Sequence, residues 1–340
     1  MSTEFPSLSP ENPLRCANCS ELGNCNLETE SSEQRQLLAS FLGELENLVS
    51  RGGPEPSEYE RITSGLQHLD RIMGSCGLRQ RHVCRIREAL GSSLSLDSMQ
   101  GLALHKPYGY AGDFEIIDRI YMQRVSADPN LARWDRFYHH QQGSAAVRNR
   151  KTYFKNLIHE FVRKNGSSAR SLRVLDVASG PARDLYEYFS EEVDPRVYFD
   201  CIETDTRAIQ YATDLCGPFI DRITFHQVNA LRFMSSEKFD LVWSAGLFDY
   251  FNDRLFVRLL NRLAKSTREG AELVIGNFGD QHESRSYMEL VGEWHLHHRS
   301  EECLTALALQ MTPPPQSVTV EKEPSGLNLF LRIRTSESVG

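Results

Sequence analysis

The chain has 340 residues, room for two domains at about 100 to 200 residues each. Hydrophobic residues make up 40% and charged residues 25%, an ordinary globular composition that can bury a sizeable core. A formal net charge of -8, with no basic stripe, argues against a duplex nucleic acid as main partner, because phosphate neutralisation needs clustered Lys and Arg. No apolar run approaches the roughly 18 residues of a membrane span, and the N-terminus lacks the pattern of a signal peptide. The expected setting is the cytoplasm and the expected partner a small molecule, with the oligomeric state left open.

Residues 1–30 are rich in Ser, Pro, Asn and Glu and read as a flexible arm. Cys16, Cys19 and Cys25 in this arm have the spacing C-x2-C-x5-C, but three thiols without a matched fourth ligand do not make a metal site, and none is expected. Five further cysteines (Cys76, Cys84, Cys201, Cys216 and Cys303) fall in predicted helices and strands and are expected to be reduced and inert.

Residues 31–165 read as a helical N-terminal domain or lid. Leu37, Leu38, Phe41, Leu42, Leu45 and Leu48 recur at three- and four-residue spacing, as do Ile62, Leu66, Leu69, Ile72 and Met73. The stretch Lys106-Pro-Tyr-Gly-Tyr-Ala-Gly-Asp113 breaks this pattern. It describes a shaped loop whose rings, Tyr108 and Tyr110, can cover a ligand and whose acid can accept hydrogen bonds. A long amphipathic helix over 144–164 follows, ended by Asn165-Gly166, where the domain boundary is placed.

Residues 166–340 change rhythm. Short apolar runs at 172–177, 197–202, 223–228, 239–244 and 272–277 alternate with helical patterns at 182–189, 206–215 and 254–265. This predicts an α/β, doubly wound, Rossmann-like parallel sheet with helices on both faces. After a helix at 301–310, β-rich segments at 317–321 and 327–334, joined by Glu323-Pro-Ser-Gly, predict a terminal antiparallel hairpin.

In such a sheet, ligands bind beyond the carboxyl ends of the strands. The first strand runs into a small-residue turn, with Ala178, Gly180 and Pro181 letting a ligand approach the backbone. The second ends at Glu203-Thr204-Asp205, where either acid can hold ribose hydroxyls. Register favours Glu203, since Asp205 stands just before a helical pattern as a good N-cap. Asn229 and Ala230 after the third strand can meet an adenine edge. Ser244-Ala-Gly246-Leu-Phe-Asp-Tyr250 after the fourth and Asn277 after the fifth can wall a reacting centre.

With the Gly-centred turn, the acid, the Asn and the hairpin in this order, residues 165–335 resemble the class I S-adenosylmethionine-dependent methyltransferases. The departure is Ala178 and Ala182 in place of the outer glycines. The resemblance implies a seven-stranded sheet and S-adenosyl-L-methionine as cofactor, held by Ala178, Gly180, Pro181, Glu203, Thr204, Asn229, Ala230, Ser244 and Gly246, with Tyr108 and Arg148 added from the N-terminal motifs.

Six motifs carry a closer likeness. They are Lys-Pro-Tyr-Gly-Tyr-Ala-Gly-Asp (106–113), Val-Arg-Asn-Arg (147–150), Ala-Ser-Gly-Pro-Ala-Arg-Asp (178–184), Ser-Ala-Gly-Leu-Phe-Asp-Tyr (244–250), Gly-Asn-Phe (276–278) and Ser-Arg-Ser-Tyr-Met-Glu-Leu (284–290) with Trp294 and His298-Arg-Ser300. These are similar to the bacterial methyltransferases that esterify 3-hydroxy fatty acids into methyl ester signals. By resemblance and position, the substrate candidates are Tyr110, Tyr250, Asn277, Tyr287, Trp294 and Arg299, the last as a clamp on an acceptor carboxylate. An ionised carboxylate needs no general base, so no catalytic side chain is assigned and the enzyme acts by positioning. N-methylation or hydroxyl O-methylation of a small metabolite, and a non-catalytic cofactor sensor, are the alternatives. Of His295, His297 and His298, at least two are expected to be ordinary.

Overall fold

Apolar residues at helical spacing fold as helices, and the short apolar runs fold as strands, in a computed structural model. It describes residues 31–336 apart from 74–75, 167–169 and 192–193. The arm with Cys16, Cys19 and Cys25 lies outside the described residues. The helices and strands are, in chain order, α1 (Ser32–Ser50), α2 (Tyr59–Ile72), α3 (Cys76–Leu90), α4 (Met99–His105), α5 (Phe114–Tyr121), α6 (Pro129–His140), α7 (Gln142–Lys164), β1 (Leu172–Val177), α8 (Arg183–Ser190), β2 (Val197–Glu203), α9 (Thr206–Leu215), β3 (Ile223–Gln227), β4 (Phe239–Ser244), α10 (Asp253–Ala264), β5 (Thr267–Phe278), α11 (Arg285–Leu290), α12 (Glu301–Ala308), β6 (Ser317–Lys322) and β7 (Asn328–Arg334).

The described residues divide into two compact units, one running to Ser144 and taking in Glu283–His295, the other formed by Ala145–His282 and the chain from Leu296. In the first unit, α1 opens with a capping box between Ser31 and Gln34 and buries Leu38, Phe41, Leu42, Leu45 and Leu48. α11 belongs to this unit although it lies late in the chain. Tyr287 donates to Gln100 Oε1 at 2.8 Å, Arg79 reaches Glu289 at 3.2 Å and Arg87 Nε reaches the Leu290 carbonyl at 3.0 Å.

The second unit is one seven-stranded sheet in the order β3-β2-β1-β4-β5-β7-β6. β1 to β5 pair parallel with one another, while β7 is antiparallel to both β5 and β6, so the expected terminal hairpin is present. Side chains alternate across each strand. Val174, Phe199, Cys201 and Trp243 pack on one face with Phe154, Leu157 and Ile158 of α7, and Leu175, Val177, Ile202 and Val242 pack on the other with α10 and α12. The apolar stripe of α7 is thus matched to the sheet, which sets the division at 144/145.

The sheet is closely built where β4 and β5 end. A Cβ on Gly276 would lie 2.2 Å from the Ala245 carbonyl oxygen, a backbone atom that has no way to yield cheaply. Gly276→Ala is therefore expected to destabilise the protein by about 3 kcal/mol or more, read as a lower urea midpoint. An unchanged midpoint would show that the two tips are not packed in this way.

Candidate active site at the carboxyl ends of the strands

The turn after β1 passes through three left-handed residues, Ala178 (φ 58°), Gly180 (φ 54°) and Ala182 (φ 51°). The two alanines hold the conformation that glycine adopts freely, at about 1–2 kcal/mol each. Replacing glycine has therefore kept the path of the turn. Open space faces Gly180, since a Cβ there would meet nothing within 4 Å, and the Ala178 N–H is tied to the Ile202 carbonyl at 2.8 Å. Pro181 and Ala182 are buried beneath. Two polar atoms at this turn, Asp176 Oδ2 and Ser179 Oγ, are buried with no hydrogen-bond partner among the described residues. Such atoms are costly unless a ligand satisfies them.

Glu203 closes the turn from β2. Its Oε1 accepts from the N–H groups of Thr204 (2.6 Å) and Asp205 (3.0 Å) and from the Thr204 hydroxyl (3.2 Å). Its Oε2 accepts only a long bond from Gly180 N–H, at 3.2 Å. Asp205 is instead the N-cap of α9, accepting from Arg207 N–H at 2.9 Å and pairing with the Arg207 guanidinium. Asp205 is thus the helix cap that its place before α9 leads one to expect. Beyond β3, Asn229 is exposed with Oδ1 accepting from Leu231 N–H at 2.8 Å, and Ala230 is half-buried.

At the tips of β4 and β5, polar side chains hold one another. The fully buried Ser244 donates to the Val177 carbonyl at 3.1 Å. A Cβ on Gly246 would lie 2.8 Å from Arg150 Nη1 and 3.6 Å from Asp249 Oδ2, so glycine leaves space for a buried guanidinium beside a buried carboxylate. Asp249 Oδ1 accepts from Phe278 N–H at 2.7 Å; burial pushes this carboxyl up to about 7, against the pull of that N–H and of Arg150.

Arg299 has an occupation different from the clamp expected of it. Only 4% exposed, it donates to Asn277 Oδ1 at 2.7 Å, to Asp253 Oδ1 at 3.0 Å and to the carbonyls of Phe248 and Phe251. Asn277, fully buried, directs its amide to the carbonyls of Phe278 (2.8 Å) and His297 (3.0 Å). Arg299, itself held by Asn277, therefore fastens the segment that carries Tyr250, which is 39% exposed. Arg148 is half-buried on α7, and burial lowers the proton affinity of its guanidinium.

Tyr108, Tyr110, Tyr287 and Trp294 belong to the first unit. Tyr108 donates to Glu115 at 2.8 Å and packs on Phe114, while Tyr110 is half-buried. Asp113, the acid of that loop, caps α5 through the N–H groups of Glu115 and Ile116. Tyr287 is buried against Phe137 and Tyr138, which gives it a core role, and Trp294 is 8% exposed. Of the three histidines, His295 and His297 are exposed and His298 lies against His282 at 3.3 Å. Sequence reasoning passed over Arg150, Asp184 and Asp249. For Asp184 and Asp249 the signal was an acid beside a turn; Arg150, in a polar run inside α7, gave none.

Residues 168–311 match the family model described as a methyltransferase domain. No curated protein matches the chain. Among solved structures, a possible exported protein from Bordetella parapertussis is 16% identical, covering 91% of this chain and 100% of its own at a TM-score of 0.54, so the two share a fold. N-methyltransferase NodS from Bradyrhizobium japonicum WM9, in complex with S-adenosyl-l-homocysteine, is 18% identical over 66% of this chain and 98% of its own (TM-score 0.41). Magnesium protoporphyrin IX methyltransferase from Synechocystis PCC 6803 is 12% identical over 66% and 100% (TM-score 0.43). No described helix is long and apolar enough to cross a membrane.

Proposed function

We propose that this chain, a methyltransferase that uses S-adenosylmethionine, transfers the methyl group to the carboxylate of a small or acyl acid, giving a methyl ester. The observation that carries this reading is the engagement of the polar groups at the β4 and β5 tips. Asp249, Asn277 and Arg299 fix a loop and its half-exposed Tyr250, which suits an acceptor that arrives already ionised and needs only to be positioned. The likeness of the sequence motifs to enzymes that esterify 3-hydroxy fatty acids favours an acyl acid. Free thiols at Cys201, Cys216 and Cys303 suit a reducing, cytoplasmic setting.

The residues present fit the cofactor. Orphaned acceptors at Asp176 and Ser179 and the open face of Gly180 leave room and partners for a polar, cationic ligand. S-adenosylmethionine supplies the methyl group on a sulfonium. We assign the ribose hydroxyls to Glu203 through Oε2, with Thr204 beside it, and the adenine edge to Asn229 and Ala230. The backbone of Ala178, Gly180 and Pro181 with Ser244 and Gly246 forms the floor. A dry site favours the cancellation of positive sulfonium and negative carboxylate as the bond forms. Incubation with methyl-labelled S-adenosylmethionine and a panel of 3-hydroxy fatty acids, short organic acids, amines and phenols tests the acceptor. Base-labile label on the acids is expected; stable label on an amine or phenol would overturn the carboxylate reading.

A further inference from the structure

Asp176 is the penultimate residue of β1 and Asp184 stands in the first turn of α8, at 2% and 5% exposure, on either side of the turn that follows β1. Asp184 Oδ1 accepts from Leu185 N–H at 3.0 Å, while Asp176 Oδ2 has no partner among the described residues. β2 adds Glu203 and Cys201 to their surroundings, the end of α9 adds Cys216, α8 itself adds Arg183, and α7 adds Arg150 and Lys151. Two of the positive groups, Lys151 and Arg150, also serve other acids. Lys151 Nζ is 2.5 Å from Glu187, and Arg150 also faces Asp249. Burial keeps both thiols neutral, pushing Cys216 up to about 12. Burial raises the proton affinity of both carboxyls, and the neighbouring Asp184 and Glu203 raise that of Asp176 further.

We propose that Asp176 and Asp184 share one proton in the ligand-free protein and release it to solvent when the cationic methyl donor binds, so that donor binding is linked to pH. The inference rests on S-adenosylmethionine as the ligand of this turn. The balance is simple: one O–H bond of the pair breaks, its proton leaves as buffer acid, and the ligand's positive charge takes its place beside the carboxylate. The ligand offers two cations, a sulfonium that S-adenosylhomocysteine lacks and an ammonium that both share.

Calorimetric titration of the full chain at pH 7 with S-adenosylmethionine, and separately with S-adenosylhomocysteine, in phosphate and in Tris reads the proton directly from the buffer dependence of the heat. About one proton released per donor bound is expected, with apparent affinity rising up to about tenfold per pH unit while the pair titrates. Release with both ligands identifies the ammonium as the displacing cation, and release with S-adenosylmethionine alone identifies the sulfonium. Asp176→Asn and Asp184→Asn should each abolish the buffer dependence. Binding with the same heat in both buffers overturns the proposal, as does a buffer dependence that survives in both variants. No binding of either ligand would instead bring down the cofactor reading on which it rests.

Discussion

Glu203→Ala is expected to weaken binding of S-adenosylhomocysteine at least about tenfold, some 1.4 kcal/mol, while the protein melts close to the wild-type temperature. The carboxylate is held in place before any ligand arrives. Thr204 and Asp205 fix Oε1 through three hydrogen bonds, and Oε2, with only a 3.2 Å bond from Gly180, is left to accept more. A preorganised anion that accepts from ribose hydroxyls contributes about 1.5 to 3 kcal/mol, so its loss falls on affinity. Asp205→Ala is the contrasting variant. It removes an N-cap and costs about 1 kcal/mol of stability, with affinity retained. Unchanged affinity in Glu203→Ala would mean that the ribose is held elsewhere.

Glu323→Ala should have a large effect on folding, about 3 kcal/mol or more. The carboxylate is 2% exposed in the turn between β6 and β7. There it accepts from the N–H groups of Ser325, Leu327 and Asn328 at 2.7, 2.9 and 3.0 Å, from the Ser325 hydroxyl, and from Asn149 Nδ2 at 2.6 Å. Removing it strands several donors at once, each worth about 1–3 kcal/mol when buried and unsatisfied. Burial alone would raise its pKa, yet the bonds from Ser325, Asn328 and Asn149 together hold the carboxyl below its ordinary value. A carboxyl depressed in the folded state contributes stability above its unfolded pKa of about 4.3 and loses it as pH falls through the folded value. Urea midpoints should therefore separate wild type from Glu323→Gln at pH 7 and bring the two closer in strong acid. Equal midpoints at pH 7 would contradict the role given to this residue.

The elements that bury regular apolar patterns were legible from residue order. β1, β4 and α9 begin and end at the expected residues, because each is bounded by a turn former or a cap. β5 runs longer than its apolar core, starting where Thr267 pairs with Phe239 of β4; the register then shifts across Arg268-Glu269-Gly270, where side chains give no strand signal and Gly270 bends at φ 66°. α7 was readable as a helix. The partner of its stripe was not, because helical periodicity tells that a face is buried and not what buries it. The same limit explains Arg299 and Asn277. Their chemistry suits a carboxylate ligand, but their bonds go to residues 20 to 51 positions away in the chain as well as to near neighbours, a pairing that spacing does not reveal. The turn after β1 shows the reverse case, since its alanines hid a left-handed path that glycines would have announced.

The central claim is that the cofactor lies across the carboxyl ends of β1, β2 and β3. Crystals grown with S-adenosylhomocysteine test it most directly. The account predicts adenosine density over Gly180, with the ribose hydroxyls on Glu203 and the adenine beside Asn229. A ligand bound elsewhere, with that crevice filled by side chains of the protein, would contradict it.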